Sequence, residues 1–192
     1  MIIYLIRHGE STSDVKKQYA GDYDDHLTEN GIADAKKIAG KLLSKSIQII
    51  FSSPKIRGRE TADIVRKELK CQAIIKEDLS EQDIYGAYTE LGKNQPEEEY
   101  RRLGELLINQ DNVIEGSETY SHFKNRIVGC FFEIVNSNYK YIAIITHGGP
   151  IRCIFREILK LGELKKIGNG SIIALEKNDL NFKVVEMDDA VS

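Results

Sequence analysis

Cysteine is scarce in this chain of 192 residues, with three in all, at positions 71, 130 and 153. An odd, widely spaced set builds no disulfide framework, so Cys71, Cys130 and Cys153 read as small apolar fillers in a reducing compartment. Cationic excess is missing too. Lys and Arg number 27 against 30 Asp and Glu, a formal net charge of −3, which argues against wholesale nucleic-acid binding. No apolar run approaches the ~20 residues of a membrane span. The opening Met1-Ile2-Ile3-Tyr4-Leu5-Ile6 soon meets Arg7. It has neither a basic start nor a small-residue cleavage site, so it does not read as a secretion signal. A Gly-Lys-Ser/Thr phosphate loop is absent, which excludes a nucleotide triphosphatase of that design. So are internal repeats, low-complexity tracts and linkers. What remains is a chain expected to be cytoplasmic and soluble, one domain over 1–192, with no membrane or nucleic-acid partner. At 41% hydrophobic and 30% charged residues, it has the composition of a domain that buries its own core.

Two apolar runs stand out, Ile2 to Ile6 and Tyr141 to Ile145. Neither alternates with polar residues, so each predicts a strand covered on both faces, as in a parallel sheet. Ile47 to Phe51 is a third candidate and Ala73 to Ile75 a weaker fourth. Ser171 to Leu175 and Phe182 to Val185 flank a polar Lys177-Asn178-Asp179 turn and predict a closing hairpin. Helical stripes lie between the strands. One is Ile32, Ala35, Ile38, Ala39, Leu42 and Leu43; another is Ile151, Ile154, Phe155, Ile158 and Leu159. A third is Tyr120, Phe123, Ile127, Phe131 and Ile134, with Ser117 as its candidate N-cap. Ser53-Pro54 suggests an N-cap serine before a proline in the first helical position. The alternation predicts an α/β three-layer sandwich, a mostly parallel central sheet flanked by helices. A polar stretch at about 84–113, containing Glu97-Glu98-Glu99, interrupts the rhythm and reads as a small, partly helical cap excursion.

The chemistry lies just beyond the strands. The first runs into Arg7-His8-Gly9-Glu10, the second into Thr146-His147-Gly148-Gly149-Pro150 and then a helix. Ligands of open α/β sheets bind beyond the carboxyl ends of strands, so two His-Gly pairs at two such ends can meet in one pocket. A helix start supplies unpaired N–H groups for an anion. Ser52-Ser53-Pro54-Lys55-Ile56-Arg57 follows the third strand and carries Arg57 to the same edge. Arg7 and Arg57 present planar forks that match phosphate oxygens. Two arginines, two histidines and a helix N-terminus make a site for a dianionic phosphoryl group. A neutral imidazole can take that group as a nucleophile, and a carboxylic acid is then needed to protonate the leaving oxygen. Glu81 is the first candidate for that acid, with Asp83 in reserve.

These motifs together resemble the histidine phosphatase superfamily, in the branch that holds cofactor-dependent phosphoglycerate mutase, fructose-2,6-bisphosphatase and α-ribazole phosphatase. The resemblance runs from about Ile2 to Leu175. It implies a phosphoglycerate mutase-like fold, with His8 in Arg7-His8-Gly9-Glu10 as the residue that becomes phosphohistidine. It makes Arg57 the second phosphate arginine, within a segment from Ser53 to Ala62, and Glu81 of Leu79-Ser80-Glu81 the proton donor. His147-Gly148-Gly149 corresponds to the second histidine motif, so His147 and Gly148 join the phosphate site. Leu27-Thr28-Glu29-Asn30-Gly31 and Gly116-Ser117-Glu118 match secondary landmarks. Gly21 matches a loop glycine that approaches substrate in the mutases. Where the family usually has a phosphate-touching Asn, this chain has Asp14. A carboxylate there repels a phosphate dianion unless it turns away, stays protonated or holds a cation. Further departures are His26 for a common proline, Gly58 for the usual alanine, Ala20 for the threonine expected before Gly21, and one extra residue between Glu81 and Gly86.

The resulting expectation is a metal-independent phosphomonoesterase, without a cofactor, acting on a small phosphorylated metabolite through phospho-His8. The short excursion leans toward the small phosphatases such as α-ribazole phosphatase. A phosphoglycerate mutase is the runner-up, disfavoured because Glu81-Gln82-Asp83-Ile84-Tyr85-Gly86 lacks the mutases' E-R-H-Y-G run. A non-catalytic phospho-ligand binder is the third reading, favoured only by Asp14. A metal hydrolase using His8, Glu10 and His147 as ligands is the fourth. His26 and His122 fit no catalytic motif and read as surface or local hydrogen-bonding groups. Tyr85 and Tyr88 are candidates for lining the leaving-group pocket.

Overall fold

The computed structural model describes residues 1–16, 25–86, 98, 101–102, 105–106, 112, 114–179 and 181–191. Six strands form one sheet in the order β3-β2-β4-β1-β5-β6. They are β1 (Ile2–Arg7), β2 (Ile49–Ser52), β3 (Gln72–Ile75), β4 (Tyr141–Thr146), β5 (Lys166–Asn178) and β6 (Asn181–Val191). The first four pair in parallel, and β5 and β6 add an antiparallel hairpin beside β1. The helices are α1 (Thr12–Lys16), α2 (Glu29–Leu42), α3 (Ile56–Leu69), α4 (Tyr120–Val135) and α5 (Gly148–Ile154), the last running on into a π-helical turn over Phe155–Leu159.

The continuous apolar strands serve two cores at once, because successive side chains of a strand point to opposite faces. Ile3 and Leu5 of β1, with Ile142 and Ile144 of β4, pack against Phe123, Ile127 and Ile151 of α4 and α5. Tyr4 and Ile6, with Ala143 and Ile145, pack against Ile38, Leu42 and Val65 of α2 and α3. The result is the expected three-layer sandwich.

Several local expectations need correction. Ile32 and Leu43 do not belong to the buried stripe of α2: they are 40% and 61% exposed, and the packed face is Gly31, Ala35, Ile38, Ala39 and Leu42. Ser53 does not cap α3. Its N–H still bonds to the Ile145 carbonyl, continuing the sheet, so the helix begins at Ile56 with Lys55 at the cap position. Ser117 does not cap α4 either. Its hydroxyl accepts the Ile114 N–H, and Thr119 caps the helix by accepting from the His122 N–H. The closing hairpin is far longer than its apolar cores suggested, extended by polar residues such as Glu186, Asp188 and Asp189 on the outer strand, where charge guards a sheet edge.

Two of the sequence landmarks meet in space. A Cβ on Gly9 would stand 2.3 Å from the Gly31 carbonyl oxygen, and one on Gly31 would stand 1.9 Å from the carbonyl oxygen of Glu10. The loop after β1 and the start of α2 are therefore in backbone contact. Thr28 caps α2 by accepting from the Gly31 N–H and donates to the Glu10 carboxylate at 2.6 Å. Most of the excursion at about 84–113, including Tyr88, lies outside the described residues, as does Gly21. Within that stretch Glu98, Arg101, Arg102, Glu105 and Leu106 are helical and exposed.

Candidate active site

The register of β1 against β4 pairs Arg7 with Thr146, so His8 and His147 leave the sheet side by side. Their rings meet edge to face with centroids 4.9 Å apart, and both are buried. His8 Nδ1 lies 2.7 Å from the carbonyl oxygen of Gly9. A carbonyl only accepts, so Nδ1 carries the proton and Nε2 the lone pair. Arg57 donates from Nε to that Nε2 at 3.2 Å. Burial, then the charges of Arg57 and Arg7, lower the His8 pKa to about 3. The ring is neutral, with its nucleophilic nitrogen facing a cation.

His147 is held through Nε2, 2.7 Å from the Ser53 hydroxyl. Burial, then His8 and the arginines, hold its pKa well below the ordinary value. Its Nδ1 and the Nε of Arg7 are buried polar atoms without a partner. Both atoms lie at the same buried site, where they are available to a ligand's oxygens.

Arg57 sits in the first turn of α3 and is buried. Thr61, one turn on, accepts the Gly9 N–H at 3.2 Å and donates to the Arg57 carbonyl at 2.7 Å, locking α3 to the His8 loop. Arg7 donates to the Ile167 carbonyl and to Asp14, both at 2.8 Å. Asp14 also accepts the N–H and hydroxyl of Ser11, and its pKa is lowered although burial opposes this, by His8, Ser11 and Arg7. Of the three arrangements open to that carboxylate, it holds a cation.

Glu81 follows a short 3-10 turn, Glu77–Leu79, pinned to β4 by the Thr146 hydroxyl on the Leu79 carbonyl. Its carboxylate accepts the Gly149 N–H at 3.1 Å, at the start of α5, and the Gln82 N–H at 2.9 Å. A Cβ on Gly149 would collide with Glu81 Oε1, so the second glycine of His147-Gly148-Gly149 admits the carboxylate. Asp83 instead closes the turn to Gly86, accepting its N–H at 2.9 Å.

Residues that carried no motif signal support this frame. Arg126 donates from Nη1 to the carbonyls of Asp78 and Ser80 and from Nη2 to that of Glu81, while Nε and Nη2 together fork onto Glu118. This gives the landmark Glu118 its task. His122 meets Glu118 and His26 meets Glu60, both on the surface. Glu60 in turn holds the Leu27 N–H. A cavity of about 340 Å³ is bordered by Gln82, Tyr120, Gly149, Arg152 and Arg156. Among the described residues no group of three or more His, Cys, Asp or Glu is arranged to hold a metal ion, and no helix is long and apolar enough to cross a membrane.

The fold is that of the phosphoglycerate mutase-like enzymes. Over 100% of this chain and 98% of the other it superposes on the crystal structure of the α-ribazole phosphatase from Shigella flexneri, with a TM-score of 0.83 at 19% identity. The chain belongs to the histidine phosphatase superfamily, branch 1, whose family model matches residues 3–190. It is 26% identical over 186 residues to the metal-independent phosphoserine phosphatase of Arabidopsis thaliana, covering 92% of this chain and 76% of that one. With phosphoserine phosphatase 1 of Hydrogenobacter thermophilus it shares 26% over 160 residues, covering 82% and 75%.

Proposed function

We propose that this protein is a phosphomonoesterase that hydrolyses a small phosphorylated metabolite through a phosphohistidine on His8. The observation that carries the reading is the fixed tautomer of His8, with Nδ1–H on the Gly9 carbonyl and the Nε2 lone pair toward Arg57. In the first step Nε2 attacks phosphorus and the ester P–O bond breaks. The leaving oxygen takes a proton from Glu81. Charge that spreads onto the ring is received by the Gly9 carbonyl through Nδ1–H, while Arg7, Arg57, His147 and the Gly148 end of α5 hold the phosphoryl oxygens. In the second step the Glu81 carboxylate removes a proton from water, the water oxygen attacks phosphorus and the P–N bond breaks. Phosphate departs and Glu81 is again protonated. Asp14 acts on this site through Arg7, as a positioning residue.

Water is the acceptor in this reading because Glu81 to Gly86 lacks the run that accompanies mutase activity. Metal independence is supported by the name of the Arabidopsis relative. The Shigella likeness is one of fold, so α-ribazole phosphate is simply one ester to include in a panel. We read 1–192 as a single domain. Rapid quenching with radiolabelled substrate tests the mechanism: an acid-labile, base-stable phosphoenzyme is expected, and it is lost in His8→Ala. Turnover by the wild type without that species would sink the proposal, and full activity in strong chelator is the companion result.

A further inference from the structure

Three neighbouring strands bring three side chains into one row. The sheet order sets β4 between β2 and β1, so Ser53 just beyond β2, His147 just beyond β4 and His8 just beyond β1 follow one another. Ser53 is held in that row by its own N–H on the Ile145 carbonyl, two residues before His147. It is fully buried, and its hydroxyl lies 2.7 Å from Nε2 of His147. The same oxygen accepts the Lys55 N–H at 3.3 Å. Gly58 of α3 leaves this serine its place, since a Cβ there would stand 3.1 Å from the Ser53 Cβ.

Counting partners places the proton of this contact. Burial and neighbouring positive charge keep His147 neutral, so its ring has one hydrogen to place. If Nε2 carried it, the Ser53 oxygen would accept from both Nε2 and Lys55, and the hydroxyl's own hydrogen would find no acceptor among the described residues. Nδ1 of His147, buried and without a partner, would be a second unmet group. If Ser53 donates to Nε2 instead, its oxygen and hydrogen are both used and only Nδ1–H is left over. The two histidines are then bound at opposite nitrogens. The Gly9 carbonyl occupies Nδ1–H of His8 and leaves the Nε2 lone pair for attack, whereas Ser53 occupies the Nε2 lone pair of His147 and leaves a donor. A buried donor without an acceptor, in the field of Arg7 and Arg57, suits an anion's oxygen.

We propose that Ser53 is a positioning residue for His147, its hydroxyl fixing the ring's tautomer so that Nδ1–H serves as a donor to a phosphoryl oxygen. This deepens the phosphatase reading and rests on it for the kinetic arm of the test alone. Long-range proton–nitrogen correlation spectra of the ligand-free wild type read the tautomer directly, with His147→Gln identifying the resonances. Hydrogen on Nδ1 and a bare Nε2 are expected; hydrogen on Nε2, or on both nitrogens, overturns the proposal, whether or not any Ser53 variant folds. Ser53→Ala should lose the fixed tautomer, and Ser53→Thr, which keeps the hydroxyl, should retain it. Calorimetry with inorganic phosphate should show Ser53→Ala binding roughly 10-fold more weakly, the lower end of what one hydrogen bond to a charged group is worth, and Ser53→Thr recovering most of the loss. The kcat/KM of Ser53→Ala should fall by a similar factor on alkyl and aryl phosphates alike, because the leaving oxygen is served by Glu81 and not by His147. An unchanged tautomer or unchanged phosphate affinity in Ser53→Ala overturns the proposal. If the wild type hydrolyses no ester, the phosphatase reading fails separately, and the spectra still decide the matter of Ser53.

Discussion

Arg57 donates its Nε–H to Nε2 of His8 across 3.2 Å, which sets a buried cation beside a lone pair. The contact fixes the ring's orientation and, in the proposed reaction, the side from which a phosphoryl group approaches. Replacing Arg57 by Gln should lower kcat by about 10²–10³-fold, as for other donors aimed at developing oxyanion charge. Arg57→Lys should recover little of the loss, because an ammonium lacks the planar fork. Steady-state kinetics on an aryl phosphate measures both. Activity of Arg57→Gln within a few-fold of wild type would remove this residue from the phosphoryl site.

Acid should weaken the ligand-free protein through its histidines. Burial and the arginines hold His8 down to about 3 from 6.5, and His147 is held down in the same direction. Below pH 6.5 the unfolded chain binds protons at these positions and the folded one does not. Stability is therefore full above 6.5 and falls as pH drops from there toward 3, by on the order of 1 kcal/mol per pH unit for each histidine. Asp14, whose folded pKa is lowered, adds a loss at still lower pH. Urea unfolding across pH 7.5 to 4.5 should show a shallower slope for His8→Gln than for wild type. Parallel slopes would contradict the neutral, buried ring.

Arg126 reaches Glu81 only through the backbone, holding the carbonyls of Asp78, Ser80 and Glu81. Its removal should misplace the acid rather than delete it. Arg126→Ala should therefore resemble a mild Glu81→Gln, with alkyl phosphates losing more rate than activated aryl phosphates, whose leaving groups need little protonation. Glu118→Gln, which loosens the fork on Arg126, should shift the same ratio in the same direction. Equal losses on both ester types would mean that Arg126 serves only stability.

The sandwich and its two histidine corners were legible because β1 and β4 carry unbroken apolar runs, Ile2 to Ile6 and Tyr141 to Ile145, and a His-Gly pair follows each strand. The Arg57 turn was legible because a strand precedes it. Arg152 was not, since an arginine on an otherwise amphipathic helix reads as its solvent face, and only the tertiary cavity shows that it borders that space without a partner among the described residues. The Glu118–Arg126 fork was hidden for a similar reason: its purpose depends on a loop some forty residues upstream. Ser53 looked like a helix cap, and it is the neighbouring strand's demand for one more backbone bond that frees its hydroxyl for His147.

One helix carries two glycines whose replacement should act in opposite directions. Gly31 begins α2 against the His8 loop, where a Cβ would come within 1.9 Å of the Glu10 carbonyl oxygen. That atom is backbone and cannot step aside, so Gly31→Ala forces the helix away from the loop. Overpacking of this kind costs about 1–3 kcal/mol or more, a drop of several degrees in Tm for a chain of this size, at roughly 2–4 °C per kcal/mol. Activity should fall with it, because Gly9 and His8 lie on the displaced loop. Gly40, near the other end of α2, has nothing within 4 Å of its would-be Cβ and is exposed. There Ala removes backbone freedom from the unfolded chain and should stabilise by about 0.5–1 kcal/mol. Thermal melts of the two single variants decide it: the same substitution on the same helix must move Tm down at 31 and up at 40. A shift of the same sign at both positions would mean that the contact between Gly31 and Glu10 is not what ties this helix to the site.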